Sequence, residues 1–381
     1  MKKKVAILGS TGSIGKLLLN IIKKNKKNFE IVLLTANNNY KNLLKQTQEF
    51  NVKNVIITDK YSFEKFKKLN KKKNINVHNN FKNLEEIIKT KIDYTMCAIV
   101  GIDGLEPTIK IAKHTKIIAI ANKESIICGW SLIKQNLKKY KTNFIPVDSE
   151  HFSLWFGLID KNRNSIEKLF LTASGGPFLK KSIRKISLSD ALKHPNWKMG
   201  KKISIDSATM MNKVFEIIEA KNIFNISYDK LNILTHPASY VHAILKFRDG
   251  LTNIILHDTT MKIPIYNTLY SNNVKFLKSN KLDLNILNNL DFQKVNLKQF
   301  PLVKIINYLP NRISLFETVI VSANDKLVDY YLNGQIKFNE IQKKLLNFIN
   351  NKEFRKFKRI KSKKIQNIIN LNKYVRLKIK P

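Results

Sequence analysis

Cysteine is almost missing from this chain: two residues in 381, Cys97 and Cys128. Two thiols cannot build a disulfide framework, and neither has a Cys or His neighbour at metal-ligand spacing, so a disulfide scaffold and a zinc finger are both excluded. Both are expected to be buried thiols in a reducing compartment. Long apolar runs are missing too. The longest, around Ile117 to Ala121, ends at Asn122 and Lys123, well short of the roughly 20 residues that cross a bilayer; no membrane association is expected. The basic start, Met1 to Lys4, runs into only Val5 to Leu8 before Gly9, which is too short for a secretory core. The expectation is an uncleaved, cytoplasmic protein.

Acidic residues are few and arginine is scarce. Lys and Arg number 69 against 28 Asp and Glu, a formal charge of +41. Clustered cations release counterions from nucleic-acid backbones, so the charge invites that reading. Arginine, however, is the residue suited to bidentate phosphate and base recognition, and here lysine dominates, scattered through every segment beside Asn and Ile. The excess reads as lysine on solvated faces, and nucleic acid is not expected as a partner. The densest run, Phe354 to Lys364, reads as a basic helix face.

What is present suffices for a substantial core: 43% of the residues are hydrophobic, and the length suggests two or three domains. Residues 1–150 alternate short apolar runs with amphipathic stretches. Val5 to Leu8, Ile31 to Thr35, Asn54 to Ile57, Tyr94 to Ala98, Lys116 to Ala119 and Phe144 to Pro146 read as strands, Ile14 to Lys24 and Leu105 to Ala112 as helices. Such alternation predicts an α/β fold, a Rossmann-type doubly wound parallel sheet covered on both faces, with ligands beyond the carboxyl ends of its strands. Residues 151–270 read as a central α+β catalytic domain. It has strands at Lys168 to Thr172, Asn232 to Thr235, Ala243 to Arg248 and Thr252 to Leu256, the last two joined as a hairpin through Arg248-Asp249-Gly250; a helix runs from about Ala208 to Ala220. Residues 271–300 read as a connecting arm. Residues 301–381 read as a small helical domain built from Val303 to Tyr308, Leu315 to Ser322, Lys326 to Leu332 and Phe338 to Asn347.

Directly after the first strand comes Gly9-Ser10-Thr11-Gly12-Ser13-Ile14-Gly15, opening a helix. Glycines at that spacing let the backbone turn tightly and approach a pyrophosphate, whose charge a helix N-terminus stabilises. A plain strand-to-helix turn rarely needs three of them. The second strand ends in Asn37-Asn38-Asn39, with no carboxylate to bind a ribose 2′-hydroxyl or repel a 2′-phosphate, which favours NADPH over NADH.

Three further segments concentrate polar chemistry. Asp148-Ser149-Glu150-His151 follows a strand; its carboxylates could ligate Mg²⁺ or Mn²⁺, or the segment could simply cap a helix with first-turn acids. His194 to Gly200, with Trp197, Met199 and a terminal Gly, has the make-up of a closing flap or of an ordinary loop anchored by a Trp. In Asp206 to Glu216, Ser207 is expected where a helix begins, with Asn212 and Lys213 one to two turns later. Hydroxyl, amide and ammonium could then converge on a phosphate, with Glu216 on the same face. A Lys and a Glu at that spacing also form ordinary surface pairs.

Read together, GSTGSIG at 9–15, AIVGIDGL at 98–105, ANKES at 121–125, VDSEH at 147–151, SGGPF at 174–178, HPNWKMGKKISIDSATMMNK at 194–213 and HP at 236–237 resemble the 1-deoxy-D-xylulose 5-phosphate reductoisomerase family over essentially the whole chain. The resemblance implies that Asp148, Glu150 and Glu216 hold a divalent cation. It implies that Lys123, Ser149, Ser174, His194, Ser207, Asn212 and Lys213 bind a small phosphorylated sugar, all but the first two near its phosphate. Thr11, Gly12, Ser13, Ile14, Asn122, Glu124 and Gly200 would line the NADPH site beside Gly9 and Asn37 to Asn39. Lys123, His151, His194 and His236 would join the carboxylates in the catalytic surround, Trp197 and Met199 would form the flap, and the protein would be a homodimer. The implied reaction is isomerisation followed by hydride reduction in the non-mevalonate route to isoprenoids. The chain departs from the family pattern at Asn37 to Asn39, at Val214 where a Gly is usual, at Ala238 where a Gln is usual, and at His257 to Lys262, where a Gly, Pro, Asp and Arg-containing stretch is usual.

Two other readings are weaker. A semialdehyde dehydrogenase needs a nucleophilic Cys, and neither cysteine sits in a matching motif; a polyanion-binding protein would have no use for the carboxylate set.

Overall fold

The computed structural model describes residues 1–70, 74–179, 186–197, 199–271 and 276–381. Lys198 of the flap segment and part of the 271–300 arm lie outside the described residues.

The chain divides into two compact units, Met1–Ser125 with Leu132–Asp148 and Met261–Leu277, and Ile126–Ser131 with Ser149–Thr260 and Lys278–Pro381. The first is built on seven strands: β1 (Lys3–Leu8), β2 (Phe29–Ala36), β3 (Asn54–Ile57), β4 (Asn76–His78), β5 (Ile92–Cys97), β6 (Thr115–Ile120) and β7 (Asn143–Pro146). Their order is β4-β3-β2-β1-β5-β6-β7, every neighbour parallel. Parallel strands covered on both faces are apolar throughout rather than alternating, and Val5, Ala6, Ile7 and Leu8 are all fully buried. The chain passes from β1 to β2 on one side and returns to β5 on the other, so the carboxyl ends of β1 and β5 flank the point where strand order reverses. The strand β4 was not anticipated: three residues with one apolar side chain carry no periodic signal. Cys97 and Cys128 are both buried, as expected.

The first unit also takes in Met261–Leu277, which the sequence reading divided between the second domain and the arm. The reason is local. Thr268 shares a buried hydrogen bond of 2.8 Å with the Tyr94 hydroxyl, Tyr270 meets Phe29 edge-on at 5.7 Å, and Lys3 Nζ donates to the Leu269 carbonyl.

The second unit is α+β. Its sheet runs β11-β10-β8-β9-β12, from β8 (Ile166–Ala173), β9 (Leu231–Thr235), β10 (Val241–Phe247), β11 (Thr252–Leu256) and β12 (Gln293–Lys294). The hairpin β10–β11 is antiparallel as expected, with a register shift between Val241 and Ala243; β8 and β9 pair parallel. Part of the arm becomes β12, paired to β9.

The helix expected from Ala208 to Ala220 is two helices, Lys201–Ala208 and Met211–Phe224. Met210 takes φ 61, a left-handed conformation that ends the first and starts the second; beside it the Thr209 hydroxyl donates to the Ile205 and Asp206 carbonyls. Ser207 therefore lies in the last turn of a helix, not at the start of one, and Asn212 and Lys213 stand in the first turn of the next. The stretches Leu315 to Ser322 and Lys326 to Leu332 form one helix, Phe316–Leu332, and Val303 to Tyr308 falls in the 3₁₀ helix Pro301–Tyr308. Phe354 to Lys364 is helical only in its first half: the short helix Lys352–Arg355 runs into the 3₁₀ helix Lys356–Arg359, and irregular chain follows before the helix Ile365–Lys378. No helix among the described residues is long and apolar enough to cross a membrane.

Candidate active site

In the first unit the glycine loop works by what it lacks. Gly9 has φ +85, and a Cβ there would sit 2.7 Å from the Ala98 carbonyl oxygen at the end of β5. A Cβ on Gly15 would meet the Gly9 carbonyl oxygen at 2.5 Å. Gly12 precedes the helix Ser13–Lys23 in extended conformation with no side chain to cap it, which leaves the helix N-terminal amides to an outside acceptor. Behind the loop, Ser10 Oγ donates to Gln46 Oε1 at 2.8 Å and Gln46 Nε2 returns a bond of 3.0 Å to the Ser10 carbonyl. This buried brace went unread in the sequence because Gln46 is far away in it.

At the end of β2 the three asparagines are partly committed. Asn37 Oδ1 accepts from Thr58 Oγ1 at 3.0 Å, Asn39 caps the helix Tyr40–Phe50 through Asn42 N–H at 3.3 Å, and the Asn38 carbonyl accepts from Ser62. Asn122 is buried and caps the helix Lys123–Tyr140 through Ser125 N–H, while its Nδ2 donates to the Ile99 and Gly101 carbonyls. It thus fixes the loop after β5. Glu124 is buried beside it in sequence. Lys123 and Asp148 form an ion pair, their side chains 13% and 19% exposed.

The second unit holds a denser cluster. Lys213 Nζ, almost fully buried, lies 2.7 Å from Glu150 Oε1 and 2.5 Å from Glu216 Oε2, and donates to the Thr172 carbonyl at 2.6 Å. Burial lowers the lysine's proton affinity, but the two carboxylates outweigh it and hold the ammonium above its ordinary pKa. Ser149 Oγ donates to Glu150 Oε2 at 2.6 Å, and Asn212 Nδ2 donates to Glu216 Oε1 at 2.5 Å. These contacts follow from the helix restart at Met211: positions 212, 213 and 216 share a face only once the helix has begun.

His151 is fully buried under this cluster. Its Nε2 is 2.9 Å from the Glu216 backbone carbonyl, which can only accept, so Nε2 carries hydrogen; Nδ1 faces Glu219 Oε2 at 4.0 Å. His151 thereby ties the start of the helix Ser149–Gly157 to the turn that carries Glu216.

His194 closes a third side. Its Nδ1 accepts from the Asn196 and Trp197 amides at 3.1 and 3.0 Å, which places the hydrogen on Nε2, 2.9 Å from Ser174 Oγ. Ser174 Oγ also accepts from Gly176 N–H at 3.0 Å, so its own proton is left to donate. Burial first, and then the Lys213 charge, push the His194 imidazole down to about 4. Gly176, at φ +65, lets the Ser174 segment approach within 2.8 Å (from a notional Cβ) of the Ser207 carbonyl oxygen. The structure thus brings Ser149, Glu150, Ser174, His194, Ser207, Asn212, Lys213 and Glu216 into neighbouring positions within this unit.

His236 adjoins Ser174 through its backbone, its amide donating to the Ala173 carbonyl at 2.7 Å. Its Nδ1 is 2.9 Å from the Asp291 carbonyl and its ring stacks on Phe292 at 4.9 Å, so the arm engages it. Conversely, His242 was not singled out from the sequence, yet it is buried within Coulomb reach of Glu150 and Lys213. The available signal was a lone imidazole inside the apolar run Val241 to Leu245.

The comparisons with known proteins agree along the whole chain. A family model described as 1-deoxy-D-xylulose 5-phosphate reductoisomerase matches residues 5–129, and two models described as C-terminal domains of that enzyme match residues 144–224 and 256–378. The Pelagibacter ubique 1-deoxy-D-xylulose 5-phosphate reductoisomerase is 60% identical over 99% of this chain and 98% of its own, and that of Thermoanaerobacter pseudethanolicus is 39% identical over the same shares. Among solved structures, the Zymomonas mobilis enzyme in complex with NADPH is 29% identical with a TM-score of 0.87, covering 99% of this chain and 98% of that one. A complex of the enzyme with NADPH, fosmidomycin and magnesium is 30% identical with a TM-score of 0.89, covering 98% and 97%. With identity sustained over nearly the full length of both partners, this chain belongs to the 1-deoxy-D-xylulose 5-phosphate reductoisomerase family.

Proposed function

We infer that the protein converts 1-deoxy-D-xylulose 5-phosphate to 2-C-methyl-D-erythritol 4-phosphate, consuming NADPH and requiring Mg²⁺ or Mn²⁺. The observation that carries the site assignment is the sharing of one buried ammonium, Lys213, by two carboxylates, Glu150 and Glu216. Acids so placed stay ionised at neutral pH and offer hard oxygen donors. Asp148, two residues before Glu150, completes the proposed ligand set. A cation held there polarises the substrate's carbonyl and favours charge on its oxygens.

The protein's own groups do the rest. Ser174, whose hydroxyl proton is uncommitted to its two neighbours, and Ser207, Asn212, Lys213 and neutral His194 take the phosphate; neutral His194 donates through Nε2–H rather than adding charge. Lys123 supplies a positive charge where an oxyanion develops, with Ser149 beside Glu150. Asn196 fastens the flap segment, its Nδ2 donating to the Pro237 carbonyl and to Ser239 Oγ at 2.7 and 2.8 Å, and Trp197 and Met199 exclude water once it closes. Gly9, Thr11, Gly12, Ser13 and Ile14 present their backbone to the pyrophosphate of NADPH. Asn37 to Asn39 face its 2′-phosphate, and Asn122, Glu124 and Gly200 line the remainder. His151 and His236 act behind these groups, as supports.

The protein works as a cytoplasmic homodimer without a nucleic-acid partner. The edge strand β11 supports the dimer: Ile254 on it, Leu251 just before it, and Phe156 on the helix Ser149–Gly157 packed against it are exposed apolar side chains at one sheet edge, and an unpaired edge is a template for a second copy. Light scattering on the purified protein should give twice the chain mass.

The test of activity is loss of NADPH absorbance on adding the deoxyxylulose phosphate with either metal. Turnover that needs both metal and substrate is the expected result; none with either metal sinks the assignment.

A further inference from the structure

His257, just beyond the end of β11, lies with its ring almost parallel to that of His242: centroids 3.7 Å apart, planes inclined by 20°. Trp197 meets the same His242 ring edge-on, centroids 6.2 Å apart. The three rings belong to three separate stretches of the second unit, and the register of β10 explains how they meet. Val241 pairs with Leu256 and Ala243 with Ile255, so His242 is the extra residue of a bulge, a device that re-aims a side chain out of the pleat. The bulged imidazole donates from Nε2 to the His257 carbonyl at 3.1 Å, and the His257 amide donates to the Tyr240 carbonyl. Both of those bonds use the backbone of residue 257 and would survive any side chain there.

The His257 side chain contributes differently. Its Nδ1 donates to the Asp258 carbonyl at 2.8 Å, and its Nε2 is buried with no hydrogen-bond partner among the described residues. The contact this side chain makes with its neighbour is through the ring face, stacked on His242. Two protonated rings could not stack at this distance; burial, reinforced for His242 by His257 itself, keeps both neutral.

We propose that His257 is a positioning residue: its ring backs the bulged His242, and His242 in turn gives Trp197 the surface on which the flap segment docks. The kinetic part of this rests on the activity proposed above. The His257 ring lies within Coulomb reach of Glu150 but makes its ring contact with His242, so its removal should loosen the closed flap rather than disable the chemistry.

The test uses full-length protein labelled with 5-fluorotryptophan. Its three tryptophans, Trp130, Trp155 and Trp197, give separate ¹⁹F signals, the last assigned with Trp197→Phe. His257→Ala should shift or broaden the Trp197 signal alone and raise the substrate KM about threefold to tenfold with kcat within about twofold, on the scale of one aromatic contact. His257→Phe, which keeps a ring face and removes the unpaired nitrogen, should match the parent in both readouts. An unmoved Trp197 signal in His257→Ala overturns the proposal. So does His257→Phe behaving like His257→Ala, which would assign the effect to the imidazole nitrogens, and so does disturbance of all three signals, which would make the residue a general support. The spectra need no turnover: a parent without activity would remove the reductoisomerase reading and leave the ring contact to be judged on its own.

Discussion

The glycine loop after β1 and the Lys213 cluster, both proposed to face phosphate-bearing ligands, are built in opposite ways. The loop is seven consecutive residues whose side chains matter by being absent: at Gly9 and Gly15 the space is taken by backbone oxygen. The cluster is assembled from side chains at 150, 174, 194, 212, 213 and 216 and from the Thr172 carbonyl. A site made of backbone is robust to everything except added bulk. A site made of buried charge depends on every partner, because an unpaired buried ion costs more than the pair contributes.

That contrast can be broken first at Lys213. Lys213→Ala leaves Glu150 and Glu216 facing each other in a buried space and should cost roughly 3–5 kcal/mol of stability, with activity down by more than about a thousandfold. Thermal unfolding with and without Mg²⁺ checks the first, NADPH consumption the second, and a variant as stable as the parent would show that the carboxylates do not need the ammonium. Glu216→Gln is milder on the fold, since the amide can still meet Asn212. It should cut turnover about a hundredfold and raise the Mg²⁺ half-saturation; an unchanged metal dependence removes Glu216 from the ligand set. On the other side of the comparison, Gly15→Ala should cost about 1–3 kcal/mol through overpacking against Gly9 and raise the KM for NADPH without altering the metal dependence.

Acid should find the cluster before the loop. His194 and His242 are pushed down to about 4 and about 3 by burial. The folded form therefore binds these protons less readily than the unfolded chain, and stability is lost as pH falls below the unfolded histidine value of about 6.5 toward those values. The melting temperature should drop between about pH 7.5 and pH 5, and His194→Asn should flatten the slope. The smallest effect is at the 2′-phosphate. With Asn37 and Asn39 partly engaged by Thr58 and Asn42, the preference for NADPH over NADH should be about tenfold in KM, and Asn38→Asp should reverse it.

Val214, where a Gly is usual in the family, is fully buried in the helix Met211–Phe224 and demands no special backbone, so it is a packing change next to Lys213 rather than a loss of a ligand. The sequence reading failed where contacts, not patterns, decide. Ser207 was placed at the start of a helix because Ser is a common cap and the run through Glu216 is helical in composition. The left-handed Met210 that breaks the run is a residue type that gives no such warning. His242 was overlooked because one imidazole in an apolar strand has no periodic meaning; the bulge that re-aims it exists only in the pairing with β11. Basic residues from Phe354 to Lys364 suggested one helix face, but a charge run says nothing about where a helix stops, and the helical turns there end at Arg359.

By itself the sequence determined what is local. It set the alternation that makes a parallel sheet, the glycines that turn tightly after β1, and the ordered motifs that mark the family, because dihedral freedom and side-chain period act over a few residues at a time. Only the tertiary structure decided which charges meet. Lys213 finds Glu150 across 63 positions, and His257 finds His242 across a hairpin, because burial makes partnership compulsory and no local rule says which partner will be in reach.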